Sequence, residues 1–133
     1  MAIPKSKICP CGRNKTYKGC CGEIHTDNKI AVCAEDLMRS RYTAFTLGLG
    51  EYLNKSHHIN TRNESEKESI EEWAKSVKWI ALEIINCTFG SEIDDKGTVE
   101  FKAHFKQGLF KKVIHENSTF EKVEGKWYYL GSI

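Results

Sequence analysis

Four of the six cysteines in this chain fall within thirteen residues, in the segment CPCGRNKTYKGCC that runs from Cys9 to Cys21. They form two pairs, Cys9 with Cys11 and Cys20 with Cys21, joined by an eight-residue loop that carries three basic side chains. A segment this short cannot bury a hydrophobic core of its own. Its sulfur atoms must therefore hold whatever shape it adopts.

Two chemistries, disulfide bonding and metal binding, can give clustered thiols a structural role. Disulfides suit small secreted domains, but the opening sequence MAIPKSKICPCG lacks the apolar stretch of a secretory signal. Adjacent cysteines also cannot bridge each other without strain. Zinc suits the pattern better, because it takes four tetrahedral ligands at about 2.3 Å from thiolate sulfur. The nearby basic residues favour thiolates, and glycines flank both pairs, where a chain that wraps an ion needs unusual backbone angles.

We therefore predict one zinc ion held by Cys9, Cys11, Cys20 and Cys21. His25 is an alternative fourth ligand, and free structural thiols are the alternative to any metal. With all four ligands supplied by the protein, no coordination position is left for water. The predicted zinc is accordingly structural rather than catalytic.

The spacing C-x-C-x8-C-C, built from CPCG, the basic RNKTYK and GCCG, resembles the SEC-C motif. That motif is the short metal-binding tail of the bacterial secretion ATPase and of many otherwise unrelated proteins. In the secretion ATPase the tail meets a chaperone and the ribosome, so the resemblance implies docking on a protein or ribosome-associated partner. We call residues 1–24 the hook. Its predicted partner-binding surface consists of Arg13, Lys15, Tyr17 and Lys18.

The charge of the chain is divided unevenly. Residues 1–22 contain five basic residues, Lys5 among them, and no acid, whereas the remainder has 15 basic against 18 acidic residues. A basic head can meet phosphates as well as acidic proteins, so nucleic acid is an alternative partner. No apolar run approaches the roughly 20 residues that span a bilayer, so we expect no membrane span and a cytoplasmic protein.

Residues 25–133 predict a domain of helices followed by strands. EDLMRSRYTAFTLGLG has apolar residues at helical spacing, EYLNKSHH suggests a short helix or turn, and Ser65 with Glu68 predicts a capping box before a third helix. From Lys78 the apolar period changes from about 3.6 to 2. Turns then separate four strand-like segments. This order predicts an α+β fold, with helices packed on one face of a curved antiparallel sheet.

The stretches DLMRSRYTAF, EYLNKSHH, VEFKAHF and HENSTFEKVEGKWYYLG, together with the hook, resemble the YchJ-like family. In that family one or two SEC-C motifs flank a domain of the nuclear transport factor 2-like (NTF2-like, or cystatin-like) fold. The resemblance implies a SEC-C motif at residues 1–24 and an NTF2-like domain at residues 25–133. Members often carry a second SEC-C copy after the WYY strand, whereas this sequence ends at Ile133, so a function that needs two hooks on one chain is not expected.

An NTF2-like domain generally has a pocket between its helices and its sheet, so polar groups on inward positions are candidates for a site. Strand parity places Glu116 inward and puts Glu83 on the same face as Trp79. As a functional site, the candidate pocket residues form a small-molecule site or an acid–base pair. The alternative is an Arg41–Glu116 ion pair that tethers helix to sheet, with His58 as a surface or capping group. The candidate set is Arg41, Tyr42, His58, Glu116 and Tyr129.

Two classes of function are open to such a chain. The first is a non-catalytic module that docks through its basic zinc hook. The second is an enzyme or small-molecule binder that uses the pocket, since a fold by itself does not decide function. Cys33 and Cys87 have no paired neighbour and are expected to be buried apolar residues.

Overall fold

The computed structural model describes residues 7–133, so Lys5 of the basic head lies outside the described residues. Four α-helices are followed by four β-strands. The helices are α1 (Cys21–His25), α2 (Ala34–Leu47), α3 (Gly50–Lys55) and α4 (Lys67–Ser76), and the strands are β1 (Lys78–Phe89), β2 (Lys96–Gln107), β3 (Phe110–Val123) and β4 (Lys126–Ser132). Within residues 7–133, no helix combines the length and the apolar character needed to cross a bilayer.

Helix α2 is the long helix that packs on the sheet. Glu35 and Asp36 lie in its first turn, where carboxylates interact favourably with the helix dipole. Gly48 ends it with φ +66°, and its backbone N–H donates to the carbonyls of Ala44 and Phe45. This helix was predicted from its apolar spacing, and the structure confirms it.

The start of the third predicted helix differs from the expected capping box. The Asn63 side chain accepts a hydrogen bond from the backbone N–H of Ser65 at 3.1 Å, and a short 3₁₀ turn, Glu64–Glu66, precedes α4. The capping box of Ser65 and Glu68 is therefore wrong. An asparagine in extended backbone geometry two residues earlier takes the capping role instead.

The strands form one antiparallel sheet in the order β1-β2-β3-β4, so each strand pairs with its neighbour in sequence. Val99, Phe101 and Ala103 of β2 alternate toward the helices and are buried. They pack with Phe120 and Trp127 and with the apolar face of α2. The predicted α+β fold, with helices on one face of an antiparallel sheet, is confirmed.

Strand β1 contains two irregularities that shift its parity. The register slips between Trp79 and Ala81 and again between Ile84 and Asn86. Each bulge reverses the face on which the following side chains lie. Glu83 consequently lies outside, 3.3 Å from His104 on the exposed face, and the expectation that it faces inward is wrong.

Candidate metal centre and cavity

The four cysteines of the hook converge. Their sulfur atoms all lie within 4.8 Å of one another, with Cys9, Cys11 and Cys21 buried and Cys20 half-buried. A tight turn brings the first pair toward the second: the backbone N–H of Cys9 donates to the Lys15 carbonyl at 2.7 Å. The second pair lies at the start of α1, which begins at Cys21.

Two glycines make this turn possible. Gly12 has φ +91°, a conformation that side-chain-bearing residues rarely adopt. A Cβ on Gly22 would lie 2.6 Å from the Tyr17 carbonyl oxygen. Glycine is thus required at position 12 by the backbone conformation and at position 22 by the close approach of the Tyr17 backbone.

The four thiols cannot all ionise without a cation. Hydrogen bonds from the Cys11 and Cys21 thiols lower the pKa of Cys9, which favours its thiolate form. Hydrogen bonding with Cys11 is the largest cause that raises the pKa of Cys21, and burial raises the pKa of Cys20 to about 12. Like charges this close disfavour each other. A divalent cation would allow all four sulfurs to be thiolates, so the donor set fits a thiophilic metal such as zinc.

His25 lies outside the sulfur cluster. Its Nε2–H donates to the Ser40 carbonyl at 2.8 Å, and its Nδ1 accepts from the Tyr17 hydroxyl at 2.8 Å. Burial lowers the pKa of this imidazole, which keeps it neutral as the two bonds require. Both ring nitrogens are engaged, so the structure gives His25 a bridging role rather than that of a substitute ligand.

Two arginines connect the hook to α2. Arg13 forms ion pairs with Asp36 and, at 3.6 Å, with Glu35. Arg39 Nη1 donates to the Cys11 carbonyl at 2.6 Å, while its Nε donates to Glu35 at 2.8 Å. Arg39 was not predicted, because its spacing to Glu35 indicates only an ordinary helical pair. The boundary between residues 1–24 and 25–133 stays a prediction, but many contacts cross it.

The predicted partner-binding residues divide into two groups. Arg13 forms an ion pair with Asp36, and Tyr17 is half-buried with its hydroxyl hydrogen-bonded to His25. Lys15 and Lys18 are exposed. Only these two lysines of the predicted set present their charge freely to a partner.

A cavity of about 280 Å³ lies between α2, α4 and the inner face of the sheet. Arg41, Tyr42, Glu116 and Tyr129, four of the five predicted pocket residues, line it. Its other lining residues come from α2, α4, strands β1 to β3 and the segment after α3, and are mostly apolar or aromatic: Met38, Phe45, His57, Ile70, Trp73, Trp79, Phe101, Ala103, Ile114 and Ser118.

His58 does not line this cavity, and its assignment to the pocket is wrong. Its backbone N–H donates to the Tyr129 carbonyl at 2.7 Å, and its Nε2 lies 2.9 Å from Glu121 Oε1. His57 lines the cavity instead, with its ring edge-on to Tyr129 at 5.0 Å between centroids. Two adjacent histidines after a helix face different ways, and the sequence alone does not say which one faces inward.

The expected ion pair between Arg41 and Glu116 is absent from the described residues. Arg41 Nη1 instead donates to the Leu53 carbonyl at 2.8 Å and to Ser56 Oγ at 2.7 Å. Glu116 accepts a long hydrogen bond of 3.4 Å from Ser118. The prediction of a tether between helix and sheet is therefore wrong: α3, close in sequence, supplies the acceptors that the guanidinium uses.

The two remaining cysteines are less buried than expected. Cys33 is half-buried at the N-terminus of α2, and Cys87 is exposed with its thiol 3.6 Å from Glu35 Oε1. The expectation of two buried apolar cysteines is wrong. Cys87 pairs with Val99 and so lies on the helix-facing side of the sheet, but it belongs to the edge strand β1, and Cys33 lies at a helix end.

Comparison with known proteins extends these observations. The family described as "YchJ, middle NTF2-like domain" matches residues 33–132. A UPF0225 protein of Geobacter sulfurreducens is 36% identical over 124 residues, covering 93% of this chain and 77% of that protein. A UPF0225 protein of Chromobacterium violaceum is 43% identical over 126 residues, covering 94% and 91%.

Two solved structures share the architecture. The solution structure of a SEC-C motif containing protein from Rhodopseudomonas palustris has a TM-score of 0.85 and 32% identity, covering 96% of this chain and 98% of that chain. The crystal structure of a SEC-C motif containing protein from Psychrobacter arcticus has a TM-score of 0.78 and 31% identity, with 95% and 81% covered. The likeness thus includes the hook as well as the domain that follows it.

Proposed function

Because the chain belongs to the YchJ-like family of UPF0225 proteins with an NTF2-like domain, we propose that it is a non-catalytic binding protein whose hook is held by one structural zinc ion. The observation that carries this proposal is the convergence of four sulfur atoms within 4.8 Å. All four donors come from the protein, so a tetrahedral ion has no position left for substrate or water. The zinc would supply a cross-link between the two cysteine pairs.

The surroundings of the cluster support a structural metal. Arg39 donates to the carbonyl of Cys11, and Thr43 Oγ1 lies 3.6 Å from Cys9 Sγ. Groups that contact metal ligands in this way orient them and tune their charge. Both residues lie on α2, so the ion would hold the hook against the helix that lines the cavity.

Metal analysis tests the proposed cofactor directly. Protein purified under reducing conditions without added metal is expected to contain about one zinc per chain, because one four-cysteine cluster binds one ion. The measurement is elemental analysis by mass spectrometry together with a thiol titration. Protein that carries no zinc and has two disulfides within residues 9–21 would contradict the proposal.

The exposed face of the hook supports docking on a protein or ribosome-associated partner. Lys7, Lys15 and Lys18 are exposed, whereas Arg13 is neutralised by Asp36 and Glu35. Exposed positive charges at these three positions around the cysteine cluster favour an acidic surface and speed encounter with it. Docking is the role we propose for this face.

Reversal of these charges tests the docking role. The double variant K15E/K18E is expected to reduce the partner retained in a pull-down at low salt by about tenfold or more, since attraction becomes repulsion. Replacing exposed Lys111 and Lys112 on β3 in the same way, as K111E/K112E, is the matched control and is expected to retain the partner. Equal retention by both variants would refute docking through the hook. Loss of the captured material after ribonuclease treatment would assign the face to RNA.

A second candidate function is small-molecule binding in the cavity between helices and sheet. The observation that favours it is a partly open cavity of about 280 Å³ with aromatic walls and a few polar groups, among them Arg41, Glu116 and Ser118. Binding pockets of proteins combine mostly apolar walls with a small number of placed polar groups. None of the exposed lysines of the hook lines the cavity, so the two binding roles are compatible.

A further inference from the structure

The guanidinium of Arg41 is a buried charge that has no ionic partner in residues 7–133. Its residue is 7% exposed, and the described residues contain no carboxylate within ion-pair distance of it. Its two hydrogen bonds go to neutral acceptors, the Leu53 carbonyl and the Ser56 hydroxyl. Burial lowers the pKa of Arg41 to about 10, which still leaves the group protonated at neutral pH. A buried cation of this kind is stabilised when an anion joins it.

One edge of this guanidinium remains available. Both hydrogen bonds use Nη1, and the structure gives Nε and Nη2 no acceptor within residues 7–133. Trp127 Nε1 is the one fully buried side-chain nitrogen or oxygen that lacks a partner in the same residues, so Nε and Nη2 are not fully buried. Arg41 lines the cavity, and its guanidinium carbon lies 4.5 Å from the centre of the Tyr129 ring. The Nε–Nη2 edge has the spacing that accepts the two oxygens of a carboxylate.

The rest of the cavity suits a flat apolar group. Trp79 meets Trp73 edge-on at 5.5 Å between ring centroids and Tyr42 edge-on at 5.8 Å. Phe45 and Phe101 extend this wall. Aromatic side chains arranged in this way bind ring systems by offset or edge contacts. The volume of about 280 Å³ lies just below the range of drug-sized pockets, which is about 300–1,000 Å³, so the occupant is small.

We propose that this cavity binds a small aryl monocarboxylate, with its carboxylate on the free edge of Arg41 and its ring between the aromatic side chains. The proposal rests on the small-molecule site put forward above and names its ligand class. A monoanion is favoured over a phosphate dianion because the cavity offers one guanidinium and also contains the Glu116 carboxylate. A second negative charge would have no cation to compensate it.

Matched ligands test the proposal on the unaltered protein. The probes are indole-3-acetate and 1-naphthylacetate, each compared with its neutral amide by isothermal titration calorimetry. The carboxylates are expected to bind about 10- to 100-fold more tightly than the amides, because hydrogen bonds to a buried charge are among the strong ones. Chemical shifts of the tryptophan indole N–H groups report whether binding occurs beside Trp73 and Trp79.

Two variants separate the contribution of Arg41 from general effects on the cavity. Arg41→Met is expected to abolish the preference for carboxylate over amide. It is expected to fold, since Ser56 Oγ also donates to the Leu53 carbonyl at 3.3 Å and keeps it paired. Glu116→Gln removes the other cavity charge and is expected to bind the carboxylates equally or a few-fold more tightly. If Arg41→Met does not fold, the comparison of acids with amides on the unaltered protein still shows whether the cavity prefers a carboxylate.

The outcomes distinguish the ligand class from the site. Amides that bind as tightly as the acids would refute the carboxylate class and leave the cavity as a small-molecule site. Absence of binding by every probe up to millimolar concentration would count against both the carboxylate class and the small-molecule site. Loss of carboxylate binding in Glu116→Gln to the same degree as in Arg41→Met would also overturn the role given to Arg41.

Discussion

Replacing Cys20 and Cys21 together by serine is expected to abolish zinc binding and to release residues 7–23 from their fixed shape, while the sheet and its helices stay folded. Two of the four ligands are lost, and a serine hydroxyl does not replace a thiolate at neutral pH. In zinc-finger peptides the metal contributes about 10–16 kcal/mol of apparent binding free energy, which is also folding free energy. We expect the hook to have the same dependence, because its buried cluster consists of the cysteines themselves.

The body is expected to lose stability without unfolding. Its own core contains Val99, Phe101, Phe120 and Trp127, which do not contact the sulfur cluster. Release of the hook removes the bonds of Arg13 and Arg39 to the other segment, so the free energy of unfolding falls by about 2–4 kcal/mol. For a domain of this size such a loss lowers Tm by about 10 °C.

Elemental analysis measures the loss of zinc, and amide chemical shifts report the release of residues 7–23. Thermal unfolding measures the fall in Tm. The matched control is the replacement of the two cysteines outside the cluster, as C33S/C87S, which is expected to retain zinc and Tm. Global unfolding of C20S/C21S would contradict a body that folds on its own core. Retention of zinc by that variant would contradict the assignment of the ligands.

Replacing Arg39 by methionine is expected to lower zinc affinity by about 10- to 100-fold, the range seen when groups behind metal ligands are removed. The Nη1 group of Arg39 donates to the Cys11 carbonyl at 2.6 Å, and its Nε is fixed by Glu35 at 2.8 Å. Together these bonds hold the backbone of one ligand residue against α2. Methionine keeps an unbranched, flexible side chain that can pack like the aliphatic part of arginine, but it provides no donor.

Competition with a zinc chelator of known affinity measures this effect. Arg62→Met is the matched control, because Arg62 also donates to backbone carbonyls, those of His57 and Lys55, but lies in the body. It is expected to leave zinc affinity unchanged. Arg39→Lys is expected to recover only part of the affinity, since one ammonium does not reproduce the two-sided contacts of a guanidinium. Equal zinc affinity of Arg39→Met and the unaltered protein would show that the hydrogen bond from Arg39 to the Cys11 carbonyl does not contribute to zinc binding.

Regular elements of the fold were predictable because their signals are local. The apolar period of α2 and the alternation of β2 depend only on residues a few positions apart, and both elements lie where the sequence indicated. Glu116 was correctly placed on the inner face, since the strand that carries it pairs with β2 without a register shift. Glu83 was misplaced because bulges in β1 change parity, and β-bulges have no reliable local signature.

The polar contacts of the cavity were less predictable than its walls. Opposite charges on facing elements suggested that Arg41 pairs with Glu116, whereas Arg41 uses a carbonyl and a hydroxyl at the end of α3. His57 rather than His58 faces the cavity, because His58 is bonded to Glu121 and to the backbone of β4. Such choices depend on the angle at which α3 meets the sheet.

The cysteine cluster and the order of helices and strands were predictable because both follow from spacing between residues that are close along the chain. Which polar groups meet depends on packing: Arg39 reaches the Cys11 carbonyl across 28 positions, and Arg41 lies beside Tyr129 with no carboxylate partner in residues 7–133. A long side chain can reach several acceptors, and distances that differ by a few ångströms determine which of them it bonds. Those distances exist only after α2, α3 and the sheet have packed.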